Sequence, residues 1–183
     1  MNYTLLILPG LGNSGVEHWQ TYWLAQFDDA IKLNQKDWNT PQLVDWLENL
    51  SEAVDKIEGP VVLVAHSLAC SLVAHWTKNN HSNKILAALL VAPADVDSAA
   101  HTPEETRNFS PIPLDILPFP SAVVTSSNDP YITVERAAFL AKKWGSGFSN
   151  VGIKGHLNSD SQLKNWDEGQ AILQDLLLNI RIK

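Results

Sequence analysis

The chain has 183 residues, 45% hydrophobic and 18% charged, so it is long enough to bury a core and too apolar to be disordered. Its 13 Lys and Arg against 20 Asp and Glu leave a net charge of −7 with no basic run, which excludes the phosphate-attracting surface of a nucleic-acid or anionic-membrane binder. A single cysteine, Cys70, excludes an internal disulfide and any zinc site built on several thiolates, and it fits a reducing compartment.

The first element is the apolar run Tyr3–Leu8, which reads as a buried strand ending at Pro9-Gly10. It is too short for the apolar region of a signal peptide. Nothing later approaches the roughly 20 apolar residues of a membrane span, so the expectation is one soluble, cytoplasmic domain over residues 1–183. Glu17–Phe27 predicts a helix and Ala30–Leu33 a strand. In Thr40–Ile57 the residues Leu43, Trp46, Leu47, Leu50, Val54 and Ile57 recur at helical spacing, with Thr40 placed to cap the helix and Pro41 suited to its first turn. Val61–Val64 is a β-branched strand, Leu68–Lys78 a helix and Ile85–Val91 another strand.

Ala92–Pro120 is irregular and rich in proline. A stretch of that length is either a lid or binding loop, or a surface excursion with a short helix. Beyond it lie a strand at Ala122–Thr125, a helix at Thr133–Trp144, a short strand at Val151–Ile153, and a last helix whose stripe is Ile172, Leu173, Leu176, Leu177 and Ile180. The strands are continuous apolar runs, as expected of a sheet covered on both faces. Repeated strand-then-helix order predicts a three-layer α/β fold: a doubly wound, mostly parallel sheet of about six strands with right-handed crossovers.

The segment richest in chemistry is Val61-Val-Leu-Val-Ala-His-Ser67-Leu-Ala-Cys-Ser-Leu. A strand runs through a small residue into a serine, a second small residue and a helix, the shape of a nucleophile elbow. Ala65 and Ala69 stand where the elbow pattern has glycines, and alanine fits there if its φ stays negative. Such an elbow projects the Ser67 hydroxyl from the carboxyl edge of the sheet and aims the helix N-terminus at the same place, with the Leu68 N–H set to stabilise an oxyanion. The plainer role for Ser67 is a helix cap.

A serine nucleophile needs a base, and the base an orienting acid, following the serine in the order acid then histidine. His75 and His81 belong to the next helix or its end, and His101 to the long loop. His156, in Gly155-His156-Leu157-Asn158 after the last short strand, is the best-placed base. Asp129, in the loop after Ala122–Thr125, is the first candidate acid; Asp95 and Asp97 are rivals from an earlier loop, and Asp160 is too near His156 in sequence. The loop Pro9–Gly15 can supply a second oxyanion donor from the N–H of Leu11, with Gly12 as the alternative. Gly10-x-Gly12-x-x-Gly15 also matches a dinucleotide-binding pattern, but no acidic residue ends the strand Ala30–Leu33 to hold a ribose. Cys70 reads as a small buried apolar residue. His66 should point to the opposite face from the site. His18, Trp19 and Trp23 are either pocket or packing residues.

Five blocks in fixed order carry a resemblance: Pro9-Gly10 with Ser14 and His18-Trp19-Gln20; Ala65-His66-Ser67-Leu68-Ala69; Val91-Ala92-Pro93; Ser126-x-Asn128-Asp129-Pro130-Tyr131; and Gly155-His156-Leu157-Asn158 followed by Trp166-x-Glu168-Gly169. Over nearly its whole length the chain resembles the small serine hydrolases of the retinoblastoma-binding protein 9 and YdeN type, a branch of the α/β-hydrolases. The resemblance implies an α/β-hydrolase fold without a large cap domain, a triad of Ser67, Asp129 and His156, no cofactor or metal, and hydrolysis of small esters or amides. Two departures stand out. Ala65 replaces the family's glycine, and the single cysteine lies in Leu68-Ala69-Cys70-Ser71-Leu72 without the acid of an L-x-C-x-E motif, so no protein partner is carried over. The competing reading is a hydrolase-fold protein that binds or regulates without turnover.

Overall fold

A computed structural model describes residues 3–79 and 83–181. Six strands, β1 (Thr4–Leu8), β2 (Ala30–Lys32), β3 (Val61–His66), β4 (Ile85–Val91), β5 (Ser121–Thr125) and β6 (Gly147–Asn150), form one sheet in the order β2-β1-β3-β4-β5-β6. Every neighbouring pair is parallel. The helices are α1 (Trp19–Gln26), α2 (Leu43–Lys56), α3 (Leu68–Asn79), α4 (Val134–Trp144) and α5 (Asp167–Arg181). No described helix is long and apolar enough to cross a membrane.

Alternation along the central strands divides the core into two layers. Leu6, Leu8, Leu63 and Ala65 face α2, α3 and α4, where Trp46, Leu50, Leu72, Leu140 and Trp144 fill the space. Leu5, Ile7, Val62 and Val64 face α1 and α5, against Trp19, Trp23, Trp166, Leu173 and Leu177. The helix after β1 therefore lies on one face and the helix after β3 on the other. In a doubly wound sheet this divergence opens a crevice at the carboxyl ends of the two strands.

Three local expectations are corrected. The last strand is Gly147–Asn150, not Val151–Ile153. It is a polar edge strand, largely exposed, that pairs Gly147 with Ala122 and Phe148 with Val123, so hydropathy carries no trace of it. Helix α2 begins at Leu43 after Gln42, and Thr40 does not cap it. Thr40 is bound to Asp37 instead, and Asn108 reaches across from the long loop: its Oδ1 accepts from the Leu43 N–H at 2.7 Å while its Nδ2 donates to the Pro41 carbonyl at 2.9 Å. Helix α1 starts at Trp19, capped by His18, whose Nδ1 accepts from the Gln20 N–H at 3.2 Å. The loop 92–120 carries a 3-10 helix, Glu104–Phe109, and is pinned by Arg107, which donates to the carbonyl oxygens of Val96, Ser98 and Thr102.

Gly169, in the first turn of α5, explains part of one sequence block. A Cβ built there would lie 2.2 Å from the buried indole of Trp166. Gly15 has open space around it. Gly169→Ala is expected to lower stability by about 1–3 kcal/mol through overpacking, with Gly15→Ala near neutral, as read from urea unfolding midpoints.

Candidate active site

The crevice between the carboxyl ends of β1 and β3 is where the chain is most constrained. Ser67 has φ +57°, a left-handed conformation that non-glycine residues rarely adopt. Its N–H donates to the Val91 carbonyl at 2.9 Å and its carbonyl accepts from Cys70 N–H at 3.0 Å, fixing both ends of the turn. Ala65 and Ala69 are fully buried, and neither has a positive φ, so alanine fits at both positions. The close approach falls instead on Gly10. A Cβ there would meet the Ser67 Cβ at 2.8 Å and the His66 carbonyl oxygen at 3.0 Å.

Three side chains meet at this rim. His156 Nε2 lies 2.8 Å from Ser67 Oγ. Its Nδ1 lies 2.9 Å from each carboxylate oxygen of Asp129. Asp129, whose side chain is fully buried, also accepts from the Tyr131 N–H at 2.9 Å. With Nδ1–H donating to the carboxylate, Nε2 is left as the acceptor for the serine hydroxyl. The rivals are engaged elsewhere: Asp95 and Asp97 both bind Arg136, at 3.1 and 2.6 Å. Asp160 lies on the rim of the same cavity. His75 and His101 bond the carbonyls of Phe109 and Pro130, and His81 lies outside the described residues.

The two loops carrying Asp129 and His156 are tied by Asn128. Its Oδ1 accepts from the Gly155 N–H at 2.8 Å and from Ser126 Oγ at 2.9 Å, while Ser126 Oγ accepts from the Lys154 N–H at 2.9 Å. A second tie runs from α1: Trp19 Nε1 donates to the Leu157 carbonyl at 2.8 Å. Gln20 is buried and donates to the carbonyls of Leu8 and Val64, while its Oε1 accepts from Ser14 Oγ at 2.6 Å. It thereby joins the end of β1, the glycine loop and β3.

His66 does not point away from the site. It packs beneath His156, with ring centroids 4.9 Å apart, and its Nε2–H donates to the His156 carbonyl at 2.9 Å. His18 meets His66 edge-to-face, with ring centroids 4.7 Å apart. By strand alternation His66 shares the α1 face with Val64, and His18 at the start of α1 makes that face a wall of the cavity. Burial pushes the His66 imidazole well below its ordinary range, with His18 and His156 adding to the effect. Burial, and then His156, lower His18 from 6.5 to about 4. With Nδ1 accepting from Gln20, neutral His18 carries its proton on Nε2, in a residue that lines the cavity beside Ser67. Cys70 is buried beneath the elbow and burial raises its thiol pKa, in keeping with a packing role.

Among the described residues the N–H groups of Leu11 and Leu68 have no protein acceptor, and both residues line the cavity with Ser67. The Gly12 N–H is taken by the Trp38 carbonyl at 2.8 Å. The glycine loop is folded onto the elbow rather than opening a helix at its third glycine, and no described group of His, Cys, Asp and Glu could hold a metal ion. Sequence reasoning missed the supporting parts played by Gly10, Gln20, His66 and Asn128. All four lie inside the recurring blocks, and that was their only signal.

The profile of the family described as Serine hydrolase matches residues 5–175. No curated protein sequence matches the chain. A YdeN-like hydrolase of Pectobacterium atrosepticum is 26% identical, with TM-score 0.85 over 98% of this chain and 92% of that one. The ydeN gene product of B. subtilis is 21% identical, with TM-score 0.77 over 96% and 98%. Est1E of Butyrivibrio proteoclasticus, at 14% identity and TM-score 0.70 over 93% and 87%, shares the fold. The six-stranded parallel sheet with helices on both faces is thus an α/β-hydrolase fold, and the described residues form no large cap domain.

A histidine held neutral in the folded state gains a proton on unfolding wherever the pH lies below 6.5 and above its folded value, so stability is complete above 6.5 and is lost as pH falls toward 4. The melting temperature is expected to fall between about pH 7 and about pH 5, and to fall less steeply in His18→Asn, whose Oδ1 can keep the helix cap. Calorimetry across that range checks both slopes.

Proposed function

The chain belongs to the serine hydrolase family, and on that footing we propose that it cleaves small carboxylic esters or amides through an acyl-enzyme on Ser67. Ser67 Oγ attacks the carbonyl carbon while His156 Nε2 takes its proton. Asp129 holds His156 in the Nδ1–H tautomer and stabilises the imidazolium. The N–H groups of Leu68 and Leu11 receive the oxyanion; Leu11 is preferred to Gly12 because the Gly12 N–H is already spent on Trp38. His156 then protonates the departing alcohol or amine. Water, deprotonated by the same nitrogen, releases the acid.

The observation that carries the reading is the unbroken chain of contacts, 2.8 Å from Ser67 Oγ to His156 and 2.9 Å onward to Asp129, at the lip of a cavity of about 320 Å³. The left-handed serine adds support, because a backbone held in a sparsely populated region is a common mark of a functional position. A binding protein without turnover would follow if Ala65 misplaced the elbow or if the long proline-rich loop served a partner; Ala65 lies in β3 without a positive φ, which supports turnover on the first count.

Wild type is expected to label with a fluorophosphonate probe and to hydrolyse 4-nitrophenyl acetate. Ser67→Ala should abolish labelling, and His156→Ala and Asp129→Asn should each lower kcat by about a thousandfold or more. Equal labelling of wild type and Ser67→Ala would remove Ser67 as nucleophile.

A further inference from the structure

A second cavity, of about 440 Å³, abuts the first at His156. The two share Tyr131, His156, Asn158 and Asp160, but their remaining walls differ. The first holds Ser67 and the unpartnered N–H groups of Leu11 and Leu68, with Asn13, His18 and Thr106 as polar wall and Ala94 and Pro103 as apolar wall. The second is lined by Pro130 and Ile153 with Lys154, Gly155 and Ser161. Ile153 is 81% exposed at the mouth of this second space. The Tyr131 ring stands 4.4 Å from the His156 imidazole and is partly exposed, so it forms the partition between the two spaces.

Resting on the hydrolase reading, we infer that these cavities divide the substrate. The first takes a short acyl group bearing a hydrogen-bond acceptor, and the second takes a flat, apolar alcohol or amine portion against Tyr131 and Ile153. The division follows from the chemistry. In acylation the Ser67 Oγ–carbon bond forms and the bond from that carbon to the leaving heteroatom breaks. The heteroatom takes the proton that His156 received from Ser67, so it must depart on the His156 side. The oxyanion donors and Ser67 line the first cavity only, which places the carbonyl oxygen there and leaves the second cavity, beyond His156, to the departing group.

Size and charge narrow the class. The first cavity, of about 320 Å³, has room for a short acyl group rather than a long one, and its wall mixes Leu11, Leu68, Ala94 and Pro103 with the polar groups. Neutral His18 offers its Nε2–H at that wall, suited to a hydroxyl or ether oxygen on the acid. In the second cavity Lys154 is paired with Glu168, and Asp160 stands at the junction, so an anionic substituent finds no free cation. The substrate class is an uncharged ester or amide of a short oxygenated acid with an aromatic or similarly flat alcohol or amine.

Two ratios test the division, each on full-length protein after fluorophosphonate labelling has established an active serine. The first compares phenyl with methyl esters of the same acid. Ile153→Asp, at an exposed position that tolerates charge, is expected to lower kcat/KM for the phenyl ester relative to the methyl ester by about tenfold. The second compares phenyl glycolate with phenyl propionate, which differ by a hydroxyl in place of a methyl. Wild type is expected to favour glycolate by about tenfold or more, and His18→Asn to erase that preference while keeping the phenyl-to-methyl ratio. If the serine labels and esters turn over but neither variant moves its ratio, the division is wrong and the hydrolase reading stands. If the ratios respond in the opposite pairing, the acyl and leaving-group sides are reversed and the assignment falls. If Ser67 does not label, the hydrolase reading falls and takes the division with it.

Discussion

The left-handed backbone of Ser67 is the constraint on which the rest of the site depends. At φ +57° the chain leaves β3 and enters α3 in a single step, which lifts the serine hydroxyl out of the sheet. Such a conformation costs on the order of 1–3 kcal/mol and persists only where its surroundings allow nothing else. Here they do so through the bond from Ser67 N–H to Val91 and the bond that Cys70 N–H returns. Gly10 supplies the complementary condition. It brings the loop after β1 so close that any Cβ would strike the elbow, and the next residue, Leu11, lines the cavity with the serine. An alanine at 65 is tolerated because the tight contact falls on the neighbouring strand's loop rather than on β3 itself.

A strained turn is useful only if its partners are equally fixed, and the partners here sit on loops. Asn128 lets the loop after β5 hold the loop after β6, since one oxygen receives both Gly155 N–H and Ser126 Oγ. From the other face Trp19 clamps Leu157, and His66 clamps the carbonyl of His156 itself. The proposed base is therefore held by backbone contacts on each side and by a carboxylate at its end. His18 and His66 extend this column of imidazoles, and their burial keeps them neutral. A charged ring beneath His156 would oppose a positive charge on it, so burial of these two rings suits the proposed acyl transfer as well as the packing.

Much of the scaffold is legible in the sequence, because the central strands are apolar on both faces and the helices carry regular stripes. Val61–Val64 and Ile85–Val91 announce buried strands by composition alone. Gly147–Asn150 does not: at the edge of the sheet it needs only backbone bonds to β5, and its side chains face water. The cap of α2 is hidden for a different reason. Its partner Asn108 lies 65 residues away, and a local reading sees only Thr40, which is committed to Asp37 in the preceding turn. The meeting of Ser67, Asp129 and His156 is readable because each follows a strand and therefore reaches the same carboxyl edge. The placing of His66 is not readable, because strand alternation predicts the face and not whether an adjacent helix has turned that face into part of the cavity.

The same edge accounts for the proposed division of the site. In a parallel sheet every loop that can carry chemistry emerges on one side, so the parts of a site are ordered across it by strand order. The loop after β1 and the elbow after β3 bring Leu11, Ser67 and Leu68, the proposed oxyanion donors and nucleophile. The loops after β5 and β6 bring Asp129, Tyr131 and His156, the proposed acid, partition and base. Between them β4 sends out the long proline-rich loop, whose Ala94, Thr102 and Thr106 close the first cavity and do not line the second. On the proposed roles, strand order 1-3-4-5-6 becomes a spatial order of oxyanion, nucleophile, acyl wall and leaving group, and a substrate would satisfy it in one direction only.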